Sequence, residues 1–115
     1  MNRYDSVLEK IRKFRDDRDW MQFHHPKDMA TGLAIEAAEL MELFLWKSEQ
    51  EQAELVETKR EQIEEELADI GMFLLELADN LDVDLWAAIE AKIEKNAEKY
   101  PVEKSKGRNV KYTEL

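Results

Sequence analysis

Apolar residues recur at spacings of three and four along most of this chain, which is the period of an amphipathic α-helix. The first such segment, roughly Tyr4 to Arg18, has an apolar stripe formed by Val7, Leu8, Ile11 and Phe14. Pro26 disfavours helical backbone at His25. We therefore predict a first helix followed by an irregular segment from Asp19 to Pro26.

Two longer segments follow, and they differ in how their apolar residues are distributed. The segment from about Lys27 to Lys47 is apolar nearly all round, which is typical of a helix in the middle of a bundle. The next segment begins near Glu51 as a charged stretch and becomes apolar from Ile63 to Leu81. We predict one continuous helix there, with its first turns in solvent.

The last periodic segment begins at Asp82 or Asp84, either of which can cap a helix, and runs to Tyr100 before Pro101. Residues 101–115 have no helical period and carry four basic side chains. The whole pattern predicts an all-α fold of four helices in a bundle-like arrangement. We expect a single domain over residues 1–115, with a basic, largely irregular tail from about residue 101.

Composition narrows the classes of function. The 115 residues include 27 acidic and 17 basic side chains, for a net charge of −10, which opposes binding to duplex nucleic acid or anionic lipid. Cysteine is absent, so disulfides and thiolate metal sites are excluded. No long apolar run or signal peptide is visible, and the expected location is the cytoplasm, away from membranes.

Two acidic motifs are the strongest chemical signal in the sequence. Glu36-Ala-Ala-Glu39 and Glu66-Leu-Ala-Asp69 each place two carboxylates on one face of a helix. The motifs are symmetric about the bond that follows Gln52. A turn in the polar stretch Ser48 to Gln52 would therefore bring residue 36 level with residue 69, and residue 39 level with residue 66, in an antiparallel hairpin.

Four converging carboxylates repel one another and lose solvation unless protons or cations neutralise them. Oxygen ligands of this kind favour Mg²⁺, Mn²⁺ or Ca²⁺, and Mg²⁺ keeps coordination positions for water and phosphate. Acids on helices are more often solvated, and we interpret the run from Glu49 to Glu65 in that way. The two motifs lie within apolar arcs instead, which favours a metal site.

Two further acids could supply a ligand or a general base. Glu65 is adjacent to Glu66, and Glu76 lies two helical turns after Asp69. The more common fate of such residues is a surface or supporting position. A carboxylate-bridged di-iron site is a competing interpretation, but neither acidic motif contains the histidine that such sites use.

Four aromatic side chains are unusual in this sequence, and three of them lie in the irregular segment before the second helix, where a nucleobase could be stacked and hydrogen-bonded. The candidates are Trp20, Phe23, His24 and Trp46. Core packing is an equal interpretation for Phe23 and Trp46. His24, beside a tryptophan, is a better functional candidate than His25.

The fourth helix carries cationic and hydrogen-bonding side chains at spacings of four and three. These are Lys92, Asn96 and Lys99, followed by Tyr100. They could hold a polyphosphate, and the alternative is an ordinary solvated helix face with Glu–Lys pairs. No glycine-rich phosphate loop, nucleophile elbow or dinucleotide fingerprint is present.

The motifs taken together resemble a known family. Glu36-x-x-Glu39, Glu66-x-x-Asp69 and Lys92-x-x-x-Asn96-x-x-x-Tyr100 resemble the all-α nucleoside triphosphate pyrophosphohydrolases of the MazG type. Within that family, the dCTP pyrophosphatase group has similar segments. These are Arg18-Asp19-Trp20-x-Gln22-Phe23-His24, Phe44-x-Trp46-Lys47 and Lys111-Tyr112-Thr113-Glu114-Leu115.

The resemblance implies an enzyme that hydrolyses a (deoxy)nucleoside triphosphate, dCTP or a modified dCTP, to the monophosphate and pyrophosphate as nucleotide-pool house-cleaning. It implies Mg²⁺, or alternatively Mn²⁺, held by Glu36, Glu39, Glu66 and Asp69. It further implies a nucleobase and sugar pocket formed by Trp20, His24 and Trp46, with Lys92, Asn96 and Tyr100 against phosphates or sugar. A homodimer or homotetramer with a shared helical core is expected.

The chain departs from the family pattern at three positions. Ile35 precedes Glu36 where the family often has a second glutamate, so Glu36, Glu39 and Glu65 all stay open as the general base. Phe73 replaces a tyrosine and Ile11 replaces a histidine of the closest group, and both changes bear on base selectivity. A nucleotide sensor without turnover and a helical oligomerisation module are the alternative functions.

Overall fold

The computed structural model describes all 115 residues, and its regular elements are all helical. Two short 3₁₀ turns, Met21–Phe23 and Tyr112–Glu114, accompany the α-helices. The helices are α1 (Arg3–Asp17), α2 (Pro26–Phe44), α3 (Glu49–Thr58), α4 (Arg60–Asn80), α5 (Leu85–Lys99) and α6 (Val102–Ser105). The all-α prediction is confirmed.

Side-chain caps explain where several helices begin. Asn2 Oδ1 accepts a hydrogen bond from the Asp5 N–H at 2.8 Å at the start of α1. Ser48 and Glu51 form a reciprocal capping box at the start of α3. Asp84, rather than Asp82, caps α5.

The predicted third helix is divided in two, and the predicted turn from Ser48 to Gln52 is instead the start of α3. The break is at Lys59, whose φ is −113°. Neither glycine nor proline lies at this point, so local propensity does not signal it. Leu55 of α3 is buried, and α3 contacts α4. Packing of this kind can override helix propensity.

Helices α2 and α4 form an antiparallel pair. Gly32 lies against Phe73, Glu39 lies near Glu66, and residues further along α2 therefore meet residues earlier in α4. A Cβ atom placed on Gly32 would be 2.5 Å from the Phe73 ring. Only glycine fits there without displacing the ring, so Gly32 permits the close approach of the two helices.

Helix α1 packs against α4. Leu8 and Ile11 of α1 are buried, and Arg12 Nε donates to Asp79 Oδ2 of α4 at 2.8 Å. Hydrogen bonding to Arg12 holds the pKa of Asp79 below its usual value. Apolar burial and a charge-assisted hydrogen bond together fasten α1 to the pair.

The prediction that α2 lies in the middle of a bundle is wrong for the single chain. Met29 is its one buried residue, whereas Ile35 is 53% exposed and Met41 is 70% exposed. Helix α2 has α4 as its main neighbour, so its other apolar faces have no cover within the chain. Sequence shows that a face is apolar but cannot show which chain covers it.

The chain divides into two compact units, Met1–Asp82 and Val83–Leu115. In the second unit, the Tyr100 and Tyr112 rings meet edge to face with centroids 6.1 Å apart, and Lys99 Nζ lies 4.9 Å from the Tyr112 ring centroid. These contacts, together with α6 and the final 3₁₀ turn, give the predicted irregular tail more structure than its sequence indicates. The single domain stays a prediction.

No helix is both long enough and apolar enough to span a membrane. The cytoplasmic location stays a prediction.

Candidate active site

Three glutamates of the acidic motifs converge between α2 and α4. Glu36 and Glu39 lie one turn apart on α2, and Glu66 faces them from α4. One carboxylate oxygen from each residue lies within 4.8 Å of the other two. Glu36 and Glu66 are partly buried and Glu39 is exposed, so the cluster opens to solvent on the Glu39 side.

The cluster lacks the donors that would neutralise it. Glu36 Oε2 and Glu66 Oε2 are both buried and have no hydrogen-bond partner. Two ionised carboxylates cannot hydrogen-bond to each other, because neither has a proton to donate. Hydrogen bonding to Glu66 through one retained proton, burial, and then the neighbouring Glu39 and Asp69 raise the pKa of Glu36 to about 7.

These residues fit a hard divalent cation. Buried oxygens without donors need a positive partner, and the three carboxylates supply only oxygen ligands. Such a ligand set suits Mg²⁺ or Mn²⁺ rather than a metal that prefers sulfur or imidazole. The acidic cluster is therefore consistent with a metal site of a divalent ion.

Asp69, the fourth acid of the two motifs, lies beside the cluster rather than in it. It is not one of the three residues whose oxygens lie within 4.8 Å. Its charge nevertheless contributes to the raised pKa of Glu36, and its side chain lines a neighbouring apolar cavity. Asp69 thus stands between the acidic cluster and that cavity.

A polar cleft of about 560 Å³ opens beside the cluster. Glu39 and Glu66 line it together with Glu65 and Gln62. Glu65 is exposed, as predicted for a surface position, and it shares this cleft with two members of the cluster. A water molecule held in the cleft would therefore have carboxylate oxygens available as proton acceptors.

An apolar cavity of about 230 Å³ lies on the other side of Asp69. Trp20, His24, Met29 and Phe73 are among its lining residues. The Trp20 and His24 rings are tilted, with centroids 6.4 Å apart. Flat rings and an apolar lining are suited to an aromatic ligand, and the structure brings Trp20 and His24 together at this cavity.

Glu76 is also part of this cavity, and of the surface or supporting positions that the sequence favoured, the structure excludes the surface one. It is only 3% exposed. Its Oε2 lies 2.7 Å from His24 Nδ1, accepts a hydrogen bond from Asn80 Nδ2 at 2.9 Å, and lies 3.7 Å from Arg15 Nη1. This buried carboxylate is supported by three partners, which is the arrangement that makes burial of a charge tolerable.

Comparisons with known proteins agree with this geometry. A sequence profile of the MazG-like family matches residues 32–115. This chain belongs to the MazG-like family. It is 40% identical over 117 residues to dCTP pyrophosphatase 1 of Bos taurus, covering 96% of this chain and 69% of the bovine protein. The Homo sapiens protein of the same name is 38% identical with the same coverage.

A solved structure shows the same similarity in three dimensions. The crystal structure of a pyrophosphatase from Archaeoglobus fulgidus superposes with a TM-score of 0.85 and 39% sequence identity, covering 88% of this chain and 94% of that chain. The family expected from the sequence motifs and the MazG-like helical fold are both confirmed.

Four predicted site residues of this MazG-like chain remain, one in the first compact unit and three in the second. Trp46 is 91% exposed and does not line the apolar cavity. Its φ of 60° is left-handed, a strained conformation for a bulky residue. Lys92 and Asn96 are one turn apart on α5, and Tyr100 follows the last residue of that helix, in the second compact unit. The roles of these four residues stay predictions.

Sequence reasoning missed most of the polar network at the apolar cavity. Arg15 and Asn80 were not candidates, and Glu76 was considered as a ligand or general base but interpreted as a surface or supporting residue. One signal was present, because Glu76 follows Phe73 and Asp69 on the same helical face, and Asn80 follows one turn later. Arg15 gave no comparable signal, because its contact with Glu76 joins two separate helices.

Proposed function

We propose that the chain hydrolyses dCTP, or a modified dCTP, to the nucleoside monophosphate and pyrophosphate in a reaction that depends on Mg²⁺. The observation that carries this proposal is the group of three glutamates whose buried oxygens, on Glu36 and Glu66, have no donor. Removal of unwanted nucleotides from the cellular pool is the role that suits this reaction.

The broad class of activity has independent support. The MazG-like family and relatives named dCTP pyrophosphatase identify the chain as an enzyme, a nucleoside triphosphate pyrophosphohydrolase. The preference for dCTP and the identity of the metal are the parts that we propose. A sensor or a purely structural module is disfavoured by this family membership.

Each part of the substrate has a proposed position. Glu36, Glu39, Glu66 and Asp69 would hold the cation, which would offset the negative charges of the phosphates when bound. Trp20 and His24 would bind the base in the apolar cavity, with Trp46 as a further wall. We assign phosphate or sugar contacts to Lys92, Asn96 and Tyr100, because the first two share a face of α5 and Tyr100 follows its last residue.

The chemical step is an in-line displacement at the α-phosphorus. A water oxygen forms the new bond to phosphorus, the bond from phosphorus to the bridging oxygen breaks, and pyrophosphate leaves. The proton of that water passes to a carboxylate in or beside the cleft. Glu36, Glu39 and Glu65 are the candidates for this acceptor, and Glu65 shares the cleft with Glu39.

Product analysis with a single variant tests the proposal. Purified protein is incubated with each canonical triphosphate, with and without Mg²⁺, and the products are separated. We expect Mg²⁺-dependent monophosphate and pyrophosphate, with dCTP among the best substrates. Glu39→Gln removes one ligand charge and should lower kcat by about 10²–10³-fold.

Glu57→Gln is the matched control, because Glu57 is an exposed glutamate of α3 outside the cluster and the cleft. It should retain full turnover. Binding of nucleotide without products would favour the sensor, and no binding at all would favour the structural module. Thermal shift with Mg²⁺ and nucleotide distinguishes these two, because a ligand of the folded state raises its stability.

Heavy-oxygen water locates the bond that breaks. Attack at the α-phosphorus should place the label in the nucleoside monophosphate. Label found only in pyrophosphate would contradict this mechanism.

We further propose that the chain acts as a homodimer or homotetramer. Apolar residues of α2 and α4 are exposed in the single chain: Ile35 by 53%, Met41 by 70% and Leu67 by 52%. A second copy covering them would bury apolar area and could add Trp46 to a shared pocket. Light scattering should give two or four chains, and Met41→Glu should shift the mass towards one chain. A monomeric wild-type protein would contradict the assembly.

A further inference from the structure

Glu76 is an unusual residue to find in the wall of the apolar cavity. It is a charged side chain with 3% exposure, yet it lines a cavity whose other walls are mostly aromatic or aliphatic. A carboxylate placed there costs free energy unless it is hydrogen-bonded. His24, Asn80 and Arg15 make this burial tolerable, but they do not explain why a carboxylate faces the cavity.

All partners of Glu76 within the chain approach the same oxygen. His24 Nδ1, Asn80 Nδ2 and Arg15 Nη1 all lie near Oε2, at 2.7, 2.9 and 3.7 Å. These contacts fix the carboxylate and leave Oε1 available to accept a hydrogen bond from a ligand. The arrangement is a positioned acceptor without a donor of its own, because an ionised carboxylate can only accept.

We propose that Glu76 is a specificity-determining residue that accepts a hydrogen bond from the exocyclic amine of a 4-aminopyrimidine base. His24, Asn80 and Arg15 act as positioning residues for its carboxylate. A cytosine amine is a donor of the kind that carboxylates accept. This inference rests on the proposed function, and it adds the residue that selects the base.

The geometry of α4 gives the base and the phosphates separate positions. Asp69 and Glu76 are two turns apart on α4, which corresponds to about 10.5 Å along the helix axis. Both line the apolar cavity, and only Asp69 also acts on the acidic cluster. A nucleotide can therefore place its base at the Glu76 end and its phosphates at the Asp69 end.

The size of the cavity fits one ring system better than a whole nucleotide. Its volume of about 230 Å³ is below the range of about 300–1,000 Å³ that is usual for pockets enclosing a complete ligand. The base is the apolar, flat part of a nucleotide. Phosphates would then lie outside, towards the acidic cluster.

A keto group at the same position is disfavoured for two reasons. The uracil O4 is an acceptor, so it would face the Glu76 carboxylate with no proton between them. The carboxylate would also lose water without gaining a donor, which is the condition under which a binding site rejects an analogue strongly. We expect kcat/KM for dUTP to be lower than for dCTP by about 10–100-fold.

The first experiment changes the substrate and uses the wild-type protein with Mg²⁺. kcat/KM is measured for dCTP, for dUTP, and for the dCTP analogue that carries hydrogen in place of the amine. The analogue lacks the donor without adding an acceptor, so its value should lie between those of dCTP and dUTP. This series needs no variant and remains decisive if a variant fails to fold.

The second experiment changes the protein. Glu76→Gln keeps the shape of the side chain but adds an N–H donor that can meet the uracil O4. It should reduce the dCTP-to-dUTP ratio of kcat/KM by about tenfold or more. Asp79→Asn is the matched control, because Asp79 lies one turn from Glu76 and pairs with Arg12 outside the cavity. It should keep the wild-type ratio.

The outcomes separate the inference from the proposed function. Wild-type turnover of dUTP and the analogue as efficiently as dCTP would leave the pyrophosphohydrolase intact and overturn the role of Glu76. An equal fall for dCTP and dUTP in Glu76→Gln would also overturn it, since a merely structural residue lowers both. Absence of turnover with every triphosphate would contradict the proposed function itself.

Discussion

Glu36 lies between α2 and α4, whereas Glu76 of α4 faces α1 and His24, and the surroundings of the two carboxylates are opposite. Glu36 faces other carboxylates, and its buried Oε2 has no donor. Glu76 is more deeply buried and is held by His24, Asn80 and Arg15. The first carboxylate needs a partner from outside the chain to neutralise its charge. The second has its neutralising partners within the fold.

This contrast indicates different ligands at the two ends of the α2–α4 pair. The end with unneutralised acids attracts a cation and, through it, phosphate. The end with Glu76, whose partners lie within the fold, offers one hydrogen-bond acceptor in an apolar cavity. Such an acceptor selects a ligand with a hydrogen-bond donor rather than a cation. A polar triphosphate joined to a flat base matches these two environments in the same order.

The largest expected effect on stability comes from removing Glu76. Glu76→Ala removes the buried partner of His24, Asn80 and Arg15, and loss of one member of a buried pair costs at most about 3–5 kcal/mol. Arg15 keeps its ion pair with Asp16, which limits the loss. Urea denaturation measures the free energy of unfolding. Glu36→Gln is the matched comparison, and it should leave the metal-free protein equally stable or more stable because it removes repulsion. Equal losses in the two variants would remove the contrast.

A substitution at Gly32 tests whether its contact with Phe73 sets the distance between α2 and α4 for both the acidic cluster and the apolar cavity. Gly32→Ala places a methyl group against the Phe73 ring, and such overpacking costs about 1–3 kcal/mol. Phe73→Leu in the same chain should recover part of that loss. Thermal unfolding gives the comparison.

Gly71 supplies the control for helix propensity. A Cβ at Gly71 meets nothing within 4 Å, so Gly71→Ala should stabilise α4 by about 0.5–1 kcal/mol. A stabilising Gly32→Ala would show that the Phe73 ring moves away at no cost. It would contradict the claim that the Gly32–Phe73 contact sets the distance between the helices.

A substitution at Trp46 should raise the free energy of unfolding, whereas Glu76→Ala and Gly32→Ala should lower it. Its left-handed backbone costs about 1–2 kcal/mol in a residue other than glycine. Trp46→Gly should therefore raise the free energy of unfolding by about 1 kcal/mol while lowering kcat/KM. Asp82→Gly relieves a similar φ of 56° outside the proposed site and should not change kcat/KM. Unchanged activity in Trp46→Gly would remove Trp46 from the substrate pocket.

A further expected effect is a pH dependence confined to the acidic end. The folded pKa of Glu36, about 7, lies above the unfolded value of about 4.3. The folded state therefore holds more protons between these values, and its stability should fall as pH rises from about 5 to 7. Calorimetry of the metal-free protein measures this fall in Tm. Glu36→Gln and saturating Mg²⁺ should each reduce the fall in Tm. An unchanged dependence of Tm on pH in Glu36→Gln would show that Glu36 is not its cause.

Sequence could predict the register of the acidic motifs because two regularities determine it. The helical period places Glu36 with Glu39 and Glu66 with Asp69, and the symmetry of the motifs places them level in an antiparallel pair. Helix α3 replaces the expected turn, and the two acidic motifs still lie at the same height along the α2–α4 pair. The convergence of Glu36, Glu39 and Glu66 is therefore the most predictable part of the site.

The polar network at Glu76 could not be predicted in the same way. His24 follows a 3₁₀ turn, Arg15 lies on α1 and Glu76 lies on α4, so their contacts depend on how three elements pack. No local period relates residues of different elements. The exposed faces of α2 were mispredicted for a related reason, because an apolar face has the same sequence pattern whether its own chain or another copy covers it.

Gly32 has a consequence for the choice of ion. It lies one turn before Glu36, and Phe73 lies one turn after Asp69, so the contact between them sets how far apart the helices are where the acids meet. Mg²⁺ requires oxygen distances of about 2.0–2.1 Å, whereas Ca²⁺ takes about 2.3–2.6 Å. Under the proposed metal chemistry, discrimination between ions of different radius would begin with a residue that has no side chain and binds no ion.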